Sequence, residues 1–124
     1  MNNQEKVVAI EWMNNLKNEW IKHNIAGVLE LFAYVEEYYE GPFSAPVSSK
    51  NEVEALWEET KYQNIENLNI DLISFEQGTC AMHWHLKYVD VRDDNTYEMD
   101  GTYEVHFNNE GICTYFKQWW VMAY

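Results

Sequence analysis

Three groups of side chains in this 124-residue chain combine residue types and spacings suited to chemistry. His83 and His85 stand two apart, so on a strand both imidazoles share one face. With Glu104 and His106 nearby, the pair offers the donor types of a divalent-metal site. No further ligand spacing accompanies it, so it reads as a polar patch on a sheet face, and no metal or other cofactor is expected. Lys117 forms the second group, an ammonium among apolar neighbours. Burying it is costly without a partner, which implies a carboxylate from a ligand or from Glu37 or Asp71. The third group is the set of acids that a small-molecule site would use as a base: Glu40, Glu37 and Asp71. The tracts Glu36-Glu37 and Glu58-Glu59 read as solvated surface.

The elements that must position these groups fit one domain spanning residues 1–124. Six Trp, nine Tyr and five Phe supply far more ring surface than a disordered segment carries. Some of those rings are expected to line a cavity or an interface. Twenty-one acidic residues stand against eight Lys and Arg, for a formal net charge of -13. Such a surface repels phosphate backbones and anionic lipid, so neither nucleic acid nor membrane is an expected partner. The N-terminal MNNQEK is polar, no apolar run reaches signal-peptide or membrane-span length, and Cys80 and Cys113 are not closely paired. A cytoplasmic location with two buried free thiols follows as an expectation.

Apolar residues recur at helical spacing from Glu5 to Lys22. Asn24 is placed to cap a second, shorter helix through Val28, Leu29, Leu31 and Phe32. Pro42 and Pro46 then forbid a helix interior and suggest short edge strands. Ser49 and Glu52 have capping-box spacing at the start of a third helix carrying Val53, Leu56 and Trp57. Beyond Thr60 the pattern alternates, predicting strands near Ile65–Glu76, Thr79–Val91, Thr96–Asn108 and Ile112–Met122. Their short turns make them an antiparallel meander. The first of these strands fits two registers, so Asn69 and Asp71 are open to either face.

A two-residue turn at Asp94-Asn95 would set Met82 opposite Phe107, Trp84 opposite Val105 and Leu86 opposite Tyr103. The same register sets His83 opposite His106 and His85 opposite Glu104. The last hairpin reads as a type I turn closed by a left-handed Gly111, pairing Phe107 with Cys113, Val105 with Tyr115 and Tyr103 with Lys117. Cys113, Tyr115, Lys117, Trp119 and Val121 then join the inner face, under the helices. Phe116, Trp120 and Met122 fall on the outer face, as the seam of a homodimer.

This element order, with the segments NIAGVLELFA, YYEGPF and DGTYEVHFNNEGICTYFKQWW, resembles the nuclear transport factor 2-like superfamily. The last two segments are similar to a bacterial SnoaL-like subgroup. The resemblance spans nearly the whole chain and implies an α+β fold, a cone-shaped barrel with three N-terminal helices packed on a strongly curved mixed or antiparallel sheet. Members include ketosteroid isomerases, polyketide cyclases, epoxide hydrolases, dehydratases and non-catalytic binding domains, usually dimeric. The isomerase's general-base aspartate corresponds to Gly41, its protonated aspartate to Tyr103, and its helix-one tyrosine to about Leu16. Glu40, one residue from the base position, is expected on the opposite face. Isomerase or cyclase chemistry of the known type therefore lacks its acids here.

The expectation is a dimeric domain binding a small apolar molecule through Tyr39, Trp57, Trp84, Tyr103, Tyr115, Lys117 and Trp119. An isomerase, cyclase or hydrolase using Tyr103 with Glu40, Glu37 or Asp71 is the alternative, and a non-catalytic scaffold with a filled core is the third.

Overall fold

The computed structural model describes residues 3–47 and 49–123. Helix α1 spans Asn3–Ile21, α2 Ile25–Leu31 and α3 Lys50–Glu58, the last continuing into a short 3-10 turn over Glu59–Tyr62. The caps are those the sequence foretells. The Asn24 side chain accepts from the Gly27 amide at 3.3 Å, and Ser49 Oγ accepts from the Glu52 amide at 3.2 Å, each satisfying a helix-start donor. Strand β1 is only Glu37–Tyr39; β2 Gln63–Glu76, β3 Thr79–Asp90, β4 Thr96–Phe107 and β5 Cys113–Ala123 are long.

The strands form one sheet in the order β1-β5-β4-β3-β2. The four long strands run antiparallel, and β1 joins the free edge of β5 in parallel. The helices lie against one face of this curled, mixed sheet, which is not closed into a barrel. The core lies between them, where Leu16, Val28, Met82, Tyr103, Val105 and Phe116 are almost wholly excluded from solvent.

Both hairpin registers differ from the sequence expectation, with opposite consequences. Between β3 and β4 the chain makes a longer connection, Val91 to Asn95. It is closed by the Asp90 amide on the Asn95 carbonyl at 3.0 Å and stiffened by the Asp90 carboxylate gripping Arg92. Met82 therefore faces Tyr103, Trp84 faces Gly101 and Leu86 faces Met99; His83 faces Thr102 and His85 faces Asp100. The strands are displaced by an even number of residues, so every side chain stays on its expected face.

The β4–β5 hairpin behaves otherwise. Its turn is as read, with Gly111 left-handed at φ 78° and its amide on the Asn108 carbonyl. Phe107 pairs with Cys113, but the next pair is His106 with Tyr115, leaving Thr114 as an extra residue in β5. Its carbonyl accepts from the Glu36 amide at 2.8 Å, at the entry to β1. A one-residue bulge exchanges the two faces of everything beyond it. Val105 thus faces Phe116 and Tyr103 faces Gln118. Phe116 is wholly buried rather than at an outer seam, whereas Tyr115, Lys117, Trp119 and Val121 leave the inner face for the outer one.

Candidate functional site

The candidate site is a cavity of about 140 Å³ between the sheet and the first and third helices. Its walls are unusually aromatic: Trp20 from α1, Tyr38 from β1, Trp57 from α3, Trp84 from β3 and Tyr103 from β4. Packing fixes these rings. Trp84 stacks on Tyr103 at 5.4 Å between centroids, and Trp20 meets Trp57 edge-on at 4.9 Å. Gly101 makes room for the first of these pairs. A Cβ there would sit 2.7 Å from Trp84 Nε1, so only glycine lets that indole lie across β4.

Hydrogen bonds hold the ring edges. Trp20 Nε1 donates to Gln63 Oε1 at 2.8 Å, and Trp57 Nε1 donates to the Tyr38 hydroxyl at 2.9 Å. The second bond has a direction with consequences. An indole N–H can only donate, so the Tyr38 oxygen accepts and its single O–H is left to donate elsewhere. It lies beside the Glu40 carboxyl, which Gln118 also adjoins in the cavity wall, and both neighbours favour the ionised form. Burial nonetheless holds the Glu40 carboxyl above its ordinary pKa, the two neighbours offsetting this only in part. Trp120, near the cavity mouth, donates its indole N–H to the Glu40 carbonyl at 3.1 Å and so fixes the backbone there.

Glu40 is thus an inward acid, not an outward one. The reason lies in β1. Tyr38 pairs with Phe116 in the core, and alternation from Tyr38 carries position 40 to the same side. Gly41 is buried at the following bend and offers no side chain. No Lys, Arg or His lines the cavity among the described residues. Tyr103 and Tyr38 are both held well above the ordinary phenol pKa, by burial first and by Glu40 second, so each stays a neutral O–H donor. Trp84 Nε1 is buried with no hydrogen-bond partner. Leu16, the counterpart of the isomerase tyrosine, is plain core.

Of the residues expected to bind ligand, Trp57, Trp84 and Tyr103 line this cavity; the other four do not. Tyr39, Tyr115, Lys117 and Trp119 gather on the outer sheet face instead. Lys117 Nζ lies over the rings of Tyr39 at 5.2 Å and Trp119 at 5.1 Å, and Tyr39 packs on Tyr115 at 5.7 Å. The carboxylate partner demanded of a buried Lys117 is therefore not required: its ammonium sits on aromatic faces at the surface. Sequence reasoning named Glu40 among the candidate bases but set it on the opposite face, and it missed Gln118. Only the bulge at Thr114 and the parity of Tyr38 reveal them, and neither leaves a mark in composition or turn type.

The outer face also carries the histidines. His83 Nε2 and His85 Nδ1 both hydrogen-bond Asp100, at 2.9 and 3.1 Å, and His85 Nε2 reaches Glu98 at 2.9 Å. Hydrogen bonds from His85 and His83 hold the Asp100 carboxyl below its ordinary pKa. Asp71 and Asn69 are exposed on this side, which settles the register of β2.

No protein-family model matches the chain, and no curated protein matches it in sequence. Solved structures do match in fold. The epoxide hydrolase/cyclase-like enzyme SalBIII, which has a role in pyran ring formation in the polyether salinomycin, superposes with a TM-score of 0.77 at 8% identity, covering 96% of this chain and 92% of that one. A Bacillus subtilis protein described as an isomerase gives 0.77 at 12% identity, over 98% and 90% of the two chains. A Catenulispora acidiphila protein of ketosteroid isomerase-like fold, solved in complex with trimethylamine, gives 0.66 at 13% identity, over 88% and 84%. The chain has the nuclear transport factor 2-like fold. Among the described residues no helix is long and apolar enough to cross a membrane.

Proposed function

We propose that the domain binds a small, largely apolar molecule in the aromatic cavity, with Glu40 as its polar anchor. The observation that carries this reading is the Glu40 carboxyl, partly buried among the rings of the cavity wall beside Tyr38 and Gln118. A carboxylate placed there weakens the fold unless something it meets in the cavity compensates. Size limits the occupant. A cavity near 150 Å³ holds a ligand of about benzene's bulk, so this one suits roughly six non-hydrogen atoms rather than a steroid. The test is a titration with cyclopentanone followed by two-dimensional amide and indole NMR. Shifts confined to the indoles of Trp20, Trp57 and Trp84 support the reading; no shifts, or shifts only on the outer face, overturn it.

A second reading is catalytic. Tyr103 makes no hydrogen bond to another described residue that would occupy its O–H, and it stands near a carboxyl whose pKa is raised. Such a pair could take a proton next to a carbonyl while Tyr103 donates to the carbonyl oxygen. Exchange of the α-hydrogens of cyclopentanone in heavy water, lost in Glu40→Gln, would support it. Exchange no faster than in buffer would exclude it for this ketone.

For assembly, we propose a homodimer through the outer sheet face. Trp119 and Val121 are exposed there beside interleaved His83, His85, Lys117, Asp71 and Glu104, a surface that can complement a second copy of itself. Sedimentation showing only monomer at micromolar concentration would refute it.

A further inference from the structure

We propose that the cavity is a site for a small organic ammonium ion, such as a methylated amine, held by Glu40 inside a box of aromatic rings. This deepens the binding reading and rests on it. Four observations combine. The cavity is walled by five ring systems, the electron-rich surroundings in which alkylammonium ions are recognised. It contains one carboxylate and, among the described residues, no cationic side chain, so the ion that would compensate Glu40 is not supplied by the chain. The volume, about 140 Å³, admits a compact cation of roughly five or six non-hydrogen atoms and little more. A carboxylate ligand is disfavoured by the same arrangement, because it would meet the like charge of Glu40.

The Glu40 geometry favours a cation over a neutral ligand. Tyr38 and Gln118 stand beside the carboxylate in the cavity wall and favour its ionised form. What it lacks is opposite charge. An ammonium group entering the cavity would lower the Glu40 pKa toward its ordinary value, so binding should tighten as pH rises through the titration of Glu40 in the unliganded protein.

The experiment is a pair of NMR titrations with tetramethylammonium and with tert-butanol, its neutral counterpart of similar shape. Both are followed at the indole N–H signals of Trp20, Trp57 and Trp84, at raised salt to screen the net charge of -13. We expect tetramethylammonium to bind at least about tenfold more tightly than tert-butanol, with most of that preference lost in Glu40→Gln. Lys117→Ala, on the outer face, should leave it unchanged. Thermal unfolding of Glu40→Gln verifies that the variant is folded. If tert-butanol binds as well as the cation, the cavity remains a binding site and the ammonium assignment fails. A preference that survives Glu40→Gln also overturns the assignment, since the cation would then be held elsewhere. If neither probe moves the indoles, the ammonium assignment falls, and the cyclopentanone titration decides the binding reading separately.

Discussion

The two faces of the sheet treat charge in opposite ways. On the outer face most charges have company: His83 and His85 share Asp100, Glu104 hydrogen-bonds His106 at 2.6 Å, and Lys117 lies over aromatic rings. Water reaches all of them, so each contact is worth little. On the inner face one carboxyl, Glu40, is partly buried in the cavity wall with no cation beside it. A paired, solvated charge needs no functional explanation. An unpaired, desolvated one does, because the fold would be more stable without it.

The largest test of this contrast is the register that the bulge sets. Inserting one alanine between Tyr115 and Phe116 would shift the rest of β5 by one place, bringing Lys117 and Trp119 inward and expelling Phe116 and Gln118. The cooperative thermal transition seen by circular dichroism should then be lost. Unaltered melting would mean the faces are wrongly assigned. Point variants sharpen the comparison. Phe116→Ala, in the core, should cost about 3–5 kcal/mol in urea denaturation, whereas Trp119→Ala, on the outer face, should cost below about 1 kcal/mol. Equal costs would contradict the difference between the faces.

Glu40→Gln should have a smaller effect of opposite sign. A carboxyl whose pKa is higher in the folded state favours folding while protonated, and that contribution disappears as pH rises through the folded-state pKa. The variant is therefore expected to melt higher than the parent at pH 8 and close to it at pH 4. A parent that outlasts the variant at pH 8 would show Glu40 to be a structural anchor. The smallest effect belongs to Asp100→Asn. Half-exposed and shared between two histidines, Asp100 should change stability by less than about 1 kcal/mol. A larger loss would make the histidine cluster structural.

Much of this was legible in the residues. Asn24 and Ser49 announced two helix starts, and the alternation of β3 and β4 placed Trp84, Tyr103 and Val105 correctly even though the turn at Asp94-Asn95 was misjudged. An even displacement hides such an error, and the one-residue bulge exposes it. Thr114 has no special type, and its extra place in β5 is stabilised by a hydrogen bond from Glu36, some eighty residues away in sequence. The same distance hid Glu40. Its inward direction depends on Tyr38 meeting Phe116, a contact that exists only once the parallel pairing of β1 and β5 has formed.

A carbon-detected NMR titration of the Glu40 side-chain carboxyl measures the central claim without any ligand. A midpoint above the ordinary glutamate value is the expected result, matched by pH-dependent shifts in Tyr38 and Tyr103. A midpoint at or below that value would place Glu40 in water or beside a cation, and the cavity would lose its unpaired charge.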